Sequence, residues 1–103
     1  MVFSKETLQY IHHLDWINEL RKAGKLKQFS EEEQSVFPMF LTKGDRTYLN
    51  SGVAREIFKT EQKDFERLAK GLAQKGLLGE SSEGFGLTIL GRQKIEMLKT
   101  YIQ

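Results

Sequence analysis

The run from Thr60 to Leu78 constrains the fold more than any other stretch of this chain. Phe65, Leu68, Ala69 and Leu72 recur at spacings of 3, 1 and 3. At about 100° per residue they share one face of a helix. Gln62, Lys63, Glu66, Arg67, Lys70 and Gln74 take the opposite face. Thr60 carries a capping hydroxyl, so the helix is expected from Glu61 to about Lys75. Gly76 then stops it, because glycine enters the left-handed conformation without steric cost. Leu77-Leu78 follows at once as the start of a strand.

The flanks extend this pattern. Asn50-Ser51 caps a short helix, Gly52 to Phe58, with Val53, Ala54 and Ile57 inward and a tight turn at Lys59-Thr60. A short and a longer helix joined this way make a helix-turn-helix. On the other side, Glu80 to Gly84 is a polar loop and Phe85-Gly86-Leu87 a returning strand. The pair reads as a β-hairpin with a tip of about five or six residues. A hairpin directly after the second helix gives a winged helix. Lys43 to Arg46 reads as a turn and Tyr48-Leu49 as a very short strand.

Two further helices precede this unit and one follows it. Ser4 caps a helix that runs to about Ala23, with Gly24 as its stop. Tyr10, Leu14, Ile17 and Leu20 share its broad face with Phe3 and Ile11. Leu8 and Trp16 fall outside that face with His12 between them, so this helix is apolar on two sides. Ser30 followed by Glu31-Glu32-Glu33 has the form of a capping box and opens a helix that turns Val36, Phe37, Phe40 and Leu41 inward. Pro38 lies within it, which predicts a kink or an early end. Thr88 caps a last helix, Ile89 to Ile102, with Leu90, Ile95, Met97, Leu98, Tyr101 and Ile102 on one wide face. The expected architecture is mainly α with a small β-hairpin. It is one domain over residues 1–103: an N-terminal helix (4–23), a helix-turn-helix with its wing (30–87) and a C-terminal helix (88–103).

The chain's 103 residues suffice for one core and not for two. Its apolar share of 39% and charged share of 29% are those of an ordinary globular domain. No Cys is present, which excludes disulfides and thiolate chemistry and points to a cytoplasmic setting. No apolar run is long enough to span a membrane, and the N-terminus lacks the form of a signal peptide. The parts of an enzyme are missing: no Cys nucleophile, no Gly-rich phosphate loop, no carboxylate pair on a shared concave face. Gly84-Phe85-Gly86 belongs to a hairpin rather than a phosphate cradle. Neither enzymatic activity nor a cofactor is expected. His12 and His13 are adjacent and point about 100° apart, whereas zinc sites on helices use spacings of about 3 or 4. They read as structural, with no metal. A net charge of +2 permits nucleic-acid binding without demanding it. The distribution is more telling: Arg21, Lys22, Lys25 and Lys27 form a basic run with no acid inside it.

From Ser30 to Leu98 the residues resemble the winged-helix domain of bacterial and archaeal transcription regulators, especially the MarR-like group. Ser30-Glu31-Glu32-Glu33-Gln34 with Val36-Phe37 is similar to the capped helix that precedes the family's helix-turn-helix. Ala54 with Ile57, then Leu68 through Leu78, resembles the recognition helix and its Leu-x-x-x-Gly-Leu step into the wing. Leu87-Thr88-Ile89-Leu90-Gly91 resembles the Leu-Thr-x-x-Gly that closes the wing. Two departures stand out. In the usual pattern apolar residues fall five and ten positions after the small residue of the first helix; here those positions are Lys59 and Asp64. Phe65 comes one place late, so either the turn is longer or the helix is rotated. The wing, Glu80 to Gly86, has two acids and lacks the Asp-x-Arg that reaches DNA in the MarR-like group.

The resemblance implies a dimeric regulator that reads double-stranded DNA. On the outer face of the second helix, Arg67 suits guanine, Gln62 suits adenine, and Lys63 and Lys70 suit phosphate. Lys59 and Thr60 in the turn, and Asn50 and Ser51 at the start of the short helix, complete the candidate contacts. Simple capping by Asn50 and Ser51, and a solvated face laced by Glu66–Lys70 attraction, are the bland alternatives. Leu8, His12 and Trp16 on the first helix with Met97 and Tyr101 on the last form a candidate homodimer interface. Alternatively, these helices cover each other within one chain. The competing function is a winged-helix adapter or anti-regulator whose outer face meets another protein. The acids Glu61, Asp64 and Glu66 and the cation-free wing favour it; the basic run favours DNA.

Overall fold

A computed structural model describes residues 4–101; the readings placed on Phe3 and Ile102 lie outside them. The described residues are mainly helical. Five helices, α1 (Lys5–Lys22), α2 (Glu31–Lys43), α3 (Ser51–Ile57), α4 (Gln62–Gln74) and α5 (Ile89–Lys99), accompany one hairpin, β1 (Leu78–Ser81) and β2 (Gly84–Leu87). None of these helices is long and apolar enough to cross a membrane.

Local chemistry sets most boundaries. The hydroxyls of Ser4, Ser30 and Thr88 and the amide oxygen of Asn50 each accept a backbone N–H three residues on. Gly24 and Gly76 take positive φ, and the next N–H returns to the Leu20 and Leu72 carbonyls respectively. Both are Schellman stops. The capping box at Ser30 forms only in half. Glu33 is folded inward at 5% exposure, and its Oε2 has no hydrogen-bond partner. Pro38 does not end α2. The helix runs through it to Lys43, because Pro38 is fully buried between Phe37 and Met39 and packing outweighs the lost N–H.

α1 lies along α2, α4 packs on both α2 and α3, and the hairpin continues from α4. The core gathers Ile17, Val36, Phe37, Phe40, Leu49, Ala54, Phe65, Leu72 and Ile95. The segment between α1 and α2 contributes more than a turn: Leu26 and Phe29 are buried, and Phe29 meets Phe37 edge to face. Thr7 is also buried; its hydroxyl donates to the Ile57 carbonyl at 2.8 Å. Ile11, expected inward, is exposed.

The hairpin is tighter than expected. Ser81 pairs with Gly84, so the tip is Ser82-Glu83 alone. The long polar stretch is absorbed into the strands. Leu49 exchanges both backbone bonds with Phe85, at 2.8 and 2.7 Å, as the expected short strand reduced to one bridge. α5 begins against the hairpin base: Thr88 Oγ1 donates to the Gly76 carbonyl at 2.7 Å, and Gly91 passes close to the Leu77 carbonyl. α5 ends at Lys99, and its apolar face is split. Ile95 and Leu98 are buried, whereas Leu90 and Met97 remain exposed.

Candidate nucleic-acid interface

α4 divides sharply into two faces. Phe65, Ala69 and Leu72 are buried, with Phe65 at 1% exposure and its ring edge-on to Phe85 at 6.2 Å. Gln62, Lys63, Arg67, Lys70 and Gln74 are exposed on the opposite face, and Glu66 is half-buried. The four-residue link 58–61 lets Phe65 reach the core, so its late position in the sequence does not rotate the helix. Arg67 lies 3.9 Å from Asp64, an exposed contact of little energy. Glu66 accepts from Gln62 Nε2 at 3.2 Å instead of drawing in Lys70. Among the described residues, no carboxylate comes within 4.0 Å of Lys63, Lys70, Lys59 or Arg55. α3, the turn and α4 together therefore present four cations free of ion pairs among the described residues, Arg55, Lys59, Lys63 and Lys70, set among the acids Glu61, Asp64 and Glu66.

Arg55 was absent from the sequence-derived contacts. The structure brings it beside Glu61, Gln62, Lys63 and Glu66 around one shallow cleft where α3 meets α4. Its place four residues before Lys59 and eight before Lys63 was the available signal. Lys59 is exposed and takes a φ of 56°, the one positive φ at a non-glycine among the described residues. Thr60 has a different role from the one expected. The N-cap of α4 is Glu61, which makes no side-chain capping bond. Thr60 is half-buried, its hydroxyl donating to the Phe58 carbonyl at 3.4 Å. Asn50 is committed to structure: its Oδ1 caps Val53, and its Nδ2 donates to the Glu83 carbonyl at 3.4 Å, tying α3 to the hairpin tip. Ser51 is half-buried in the first turn of α3.

The far end of α4 is tied down. Lys75 donates to Glu32 at 2.8 Å, and this hydrogen bond holds the ammonium pKa above its ordinary value. The basic run is exposed, with Arg21 and Lys22 in the last turn of α1 and Lys25 and Lys27 beyond its end. Arg21 Nε donates to Gln34 at 2.8 Å, Lys22 lies 3.9 Å from Glu19, and Lys27 shares an open cavity with Glu31.

The candidate dimer residues fall on several kinds of surface. Leu8 is 50% exposed on the side of α1 turned from the core, with His12 also exposed. Trp16 is half-buried against the core. Met97 is 46% exposed, and Tyr101 is half-buried with its hydroxyl accepting from Gln28 at 3.0 Å. Ile89, at 74% exposure, and Leu90, one of the residues expected on the wide apolar face of the last helix, add exposed apolar surface.

His13 joins α1 to α2. Its Nδ1 lies 2.8 Å from Thr42 Oγ1, and that hydroxyl donates to the Pro38 carbonyl. The hydroxyl's single hydrogen is thus used, so Nδ1–H is the donor to it. No group of three His, Cys, Asp or Glu among the described residues is placed to hold a metal. Burial, and secondarily the neighbouring His12, hold the His13 pKa below its ordinary value. The folded state therefore favours the neutral ring. Its contribution is present above the unfolded value of about 6.5 and is lost as pH falls below it. Thermal melts from about pH 7.5 to 5 should show a steeper acid decline for the native chain than for His13→Gln; parallel curves would rule this out.

Comparison of the chain with protein-family models, with curated proteins and with solved structures gives no significant match.

Proposed function

We propose that this chain binds double-stranded DNA as a winged-helix protein and serves as a dimeric transcription regulator of the MarR-like kind. In this reading α3 and α4 are the helix-turn-helix, the hairpin is the wing, and α4 enters the major groove. The observation that carries it is the exposed face of α4. Lys63 and Lys70 have no acidic partner there, and Arg67 has only a weak one, on a helix whose other face is locked into the core. Lys63 and Lys70 neutralise phosphates, and Arg67 reads a base edge. Dimerisation uses the exposed apolar side chains of the terminal helices, Leu8 and Ile11 on α1 with Ile89, Leu90 and Met97 on α5. A two-fold axis would set paired α4 helices about 34 Å apart, one turn of DNA.

Binding to random duplex DNA at low salt, weakening steeply as salt rises, is the expected behaviour. The double variant Lys63→Ala/Arg67→Ala should lose affinity, with the salt slope reduced by about 1 for the lost Lys63 phosphate contact, while its melting temperature stays near that of the native chain. Sedimentation at micromolar protein should give twice the chain mass. Undiminished DNA affinity in the double variant overturns the interface, and a monomer overturns the dimer.

A second reading is a protein-interaction winged helix that does not touch DNA. The hairpin favours it: residues 78–87 contain no cation, and Glu80 and Glu83 are exposed. Absence of any salt-sensitive duplex binding by the native chain would select this reading.

A further inference from the structure

We propose that Lys59 is a DNA-backbone contact whose ammonium is retained against the conformational preference of its own position. The inference rests on the DNA-binding reading above and adds the residue that fixes the turn of the helix-turn-helix on a phosphate.

The first observation is the backbone. Lys59 sits at φ 56°, where a side chain crowds the backbone and glycine does not. The four other positive φ angles among the described residues are all at glycines: Gly24, Gly44, Gly76 and Gly84. The chain thus uses glycine at every left-handed position except this one.

The second observation is that the surroundings impose the conformation. Thr7 Oγ1 donates to the Ile57 carbonyl at 2.8 Å on one side of the turn. The Phe58 N–H and the Thr60 N–H both donate to the Ala54 carbonyl, at 3.0 and 3.2 Å. The Phe58 ring is buried edge-on to Tyr10 at 4.7 Å. Phe58 and Thr60 are therefore held by α1 and α3, and the residue between them has no freedom to relax. Such strain persists where the fold over-determines it, and it collects at functional positions.

The third observation is the side chain. Lys59 is exposed and has no carboxylate within 4.0 Å among the described residues. Among the described residues its side chain makes no hydrogen bond that would repay the backbone. Packing cannot explain a lysine here, and capping cannot either. What a lysine supplies that glycine lacks is a positive charge on a long stem. That charge stands two residues beyond the end of α3, in the same turn that leads into α4 and on the approach to Lys63. Phosphate is the ligand that such a single, mobile ammonium meets as a point charge.

The test separates strain from charge with three variants. Lys59→Gly relieves the backbone and removes the charge. Lys59→Asn removes the charge and tolerates the left-handed conformation better than most residues. Lys59→Arg keeps the charge. We expect Lys59→Gly to melt several degrees above the native chain, since each kcal/mol shifts a domain of this size by about 4–8 °C. Both Lys59→Gly and Lys59→Asn should bind every duplex more weakly, with the salt slope lower by about 1, and Lys59→Arg should bind like the native chain. Native-like DNA binding by Lys59→Gly and Lys59→Asn overturns the proposal while leaving the DNA-binding reading standing. A Lys59→Gly variant no more stable than the native chain removes the argument from strain. Failure of the native chain itself to bind duplex DNA at low salt overturns the functional reading, and this one with it.

Discussion

Replacing Phe65 with alanine is expected to unfold the chain near ambient temperature or to lower its melting point by more than ten degrees. Phe65 is the first apolar residue on the inner face of α4 and is buried to 1% exposure. Its ring meets Phe85 of β2, and Phe85 holds the Leu49 bridge through two backbone bonds. One side chain thus joins the α3–α4 pair, the hairpin and the segment before α3. Phe→Ala in a core costs about 3–5 kcal/mol, through lost transfer energy and a residual cavity. A domain of this size has a total stability of only about 5–15 kcal/mol. Circular dichroism melts decide it, with Lys63→Ala as the surface control that should melt like the native chain. A soluble Phe65→Ala protein with native thermal stability would mean that α4 is rotated from the orientation described.

The same residue shows where sequence reasoning was strong. Phe65, Ala69 and Leu72 at helical spacing define a face, and burial follows because the opposite face holds too much charge to be covered. Helix ends were equally legible wherever a short polar side chain or a glycine controls them, as at Ser4, Gly24, Ser30, Asn50, Gly76 and Thr88. The misjudged elements depend on distant partners. Pro38 breaks an isolated helix, but α2 is buried against its neighbours and runs on. Thr60 has the composition of an N-cap, yet its hydroxyl turns to the Phe58 carbonyl and Glu61 takes the cap. Leu26 and Phe29 lie in a stretch without periodicity, so nothing local marks them as core. The hairpin tip was overestimated because Glu80 and Ser81 look like loop residues; strand pairing, not composition, decides them.

The candidate interface was legible in part for the same reason. Outward positions on α4 follow from the period of the helix, so Gln62, Lys63, Arg67 and Lys70 emerge together. Arg55 is on another helix and joins them only through the α3–α4 crossing. Asn50 and Thr60 have the right chemistry for phosphate, but their polar atoms serve the fold. The strained φ of Lys59 has no sequence signature at all, since lysine is not a residue expected in that conformation.

Two helical glycines should respond to alanine in opposite directions, and the contrast tests how α5 is docked. Gly71 lies inside α4, three residues before its end, and a Cβ there would meet only Glu32 Cδ at 3.9 Å, an ordinary contact. Gly71→Ala should therefore stabilise the chain by about 0.5–1 kcal/mol, the propensity gain of alanine over glycine in a helix. Gly91 is in the first turn of α5 and has the same propensity to gain. A Cβ there, however, would stand 2.2 Å from the Leu77 carbonyl oxygen and 2.9 Å from Leu87 Cδ2. The Leu77 oxygen is fixed, because it accepts the Thr88 N–H at 3.1 Å at the base of the hairpin. Neither backbone can yield without lifting α5 off β1 and β2 and withdrawing Ile95 and Leu98 from the core. Overpacking of this kind costs about 1–3 kcal/mol, and more where backbone rather than side chain must move. That exceeds the propensity gain, so Gly91→Ala should melt below the native chain while Gly71→Ala melts above it. Shifts of the same sign in both variants would show that α5 does not sit with its backbone against Leu77, and the close of the hairpin onto the last helix would need a different account.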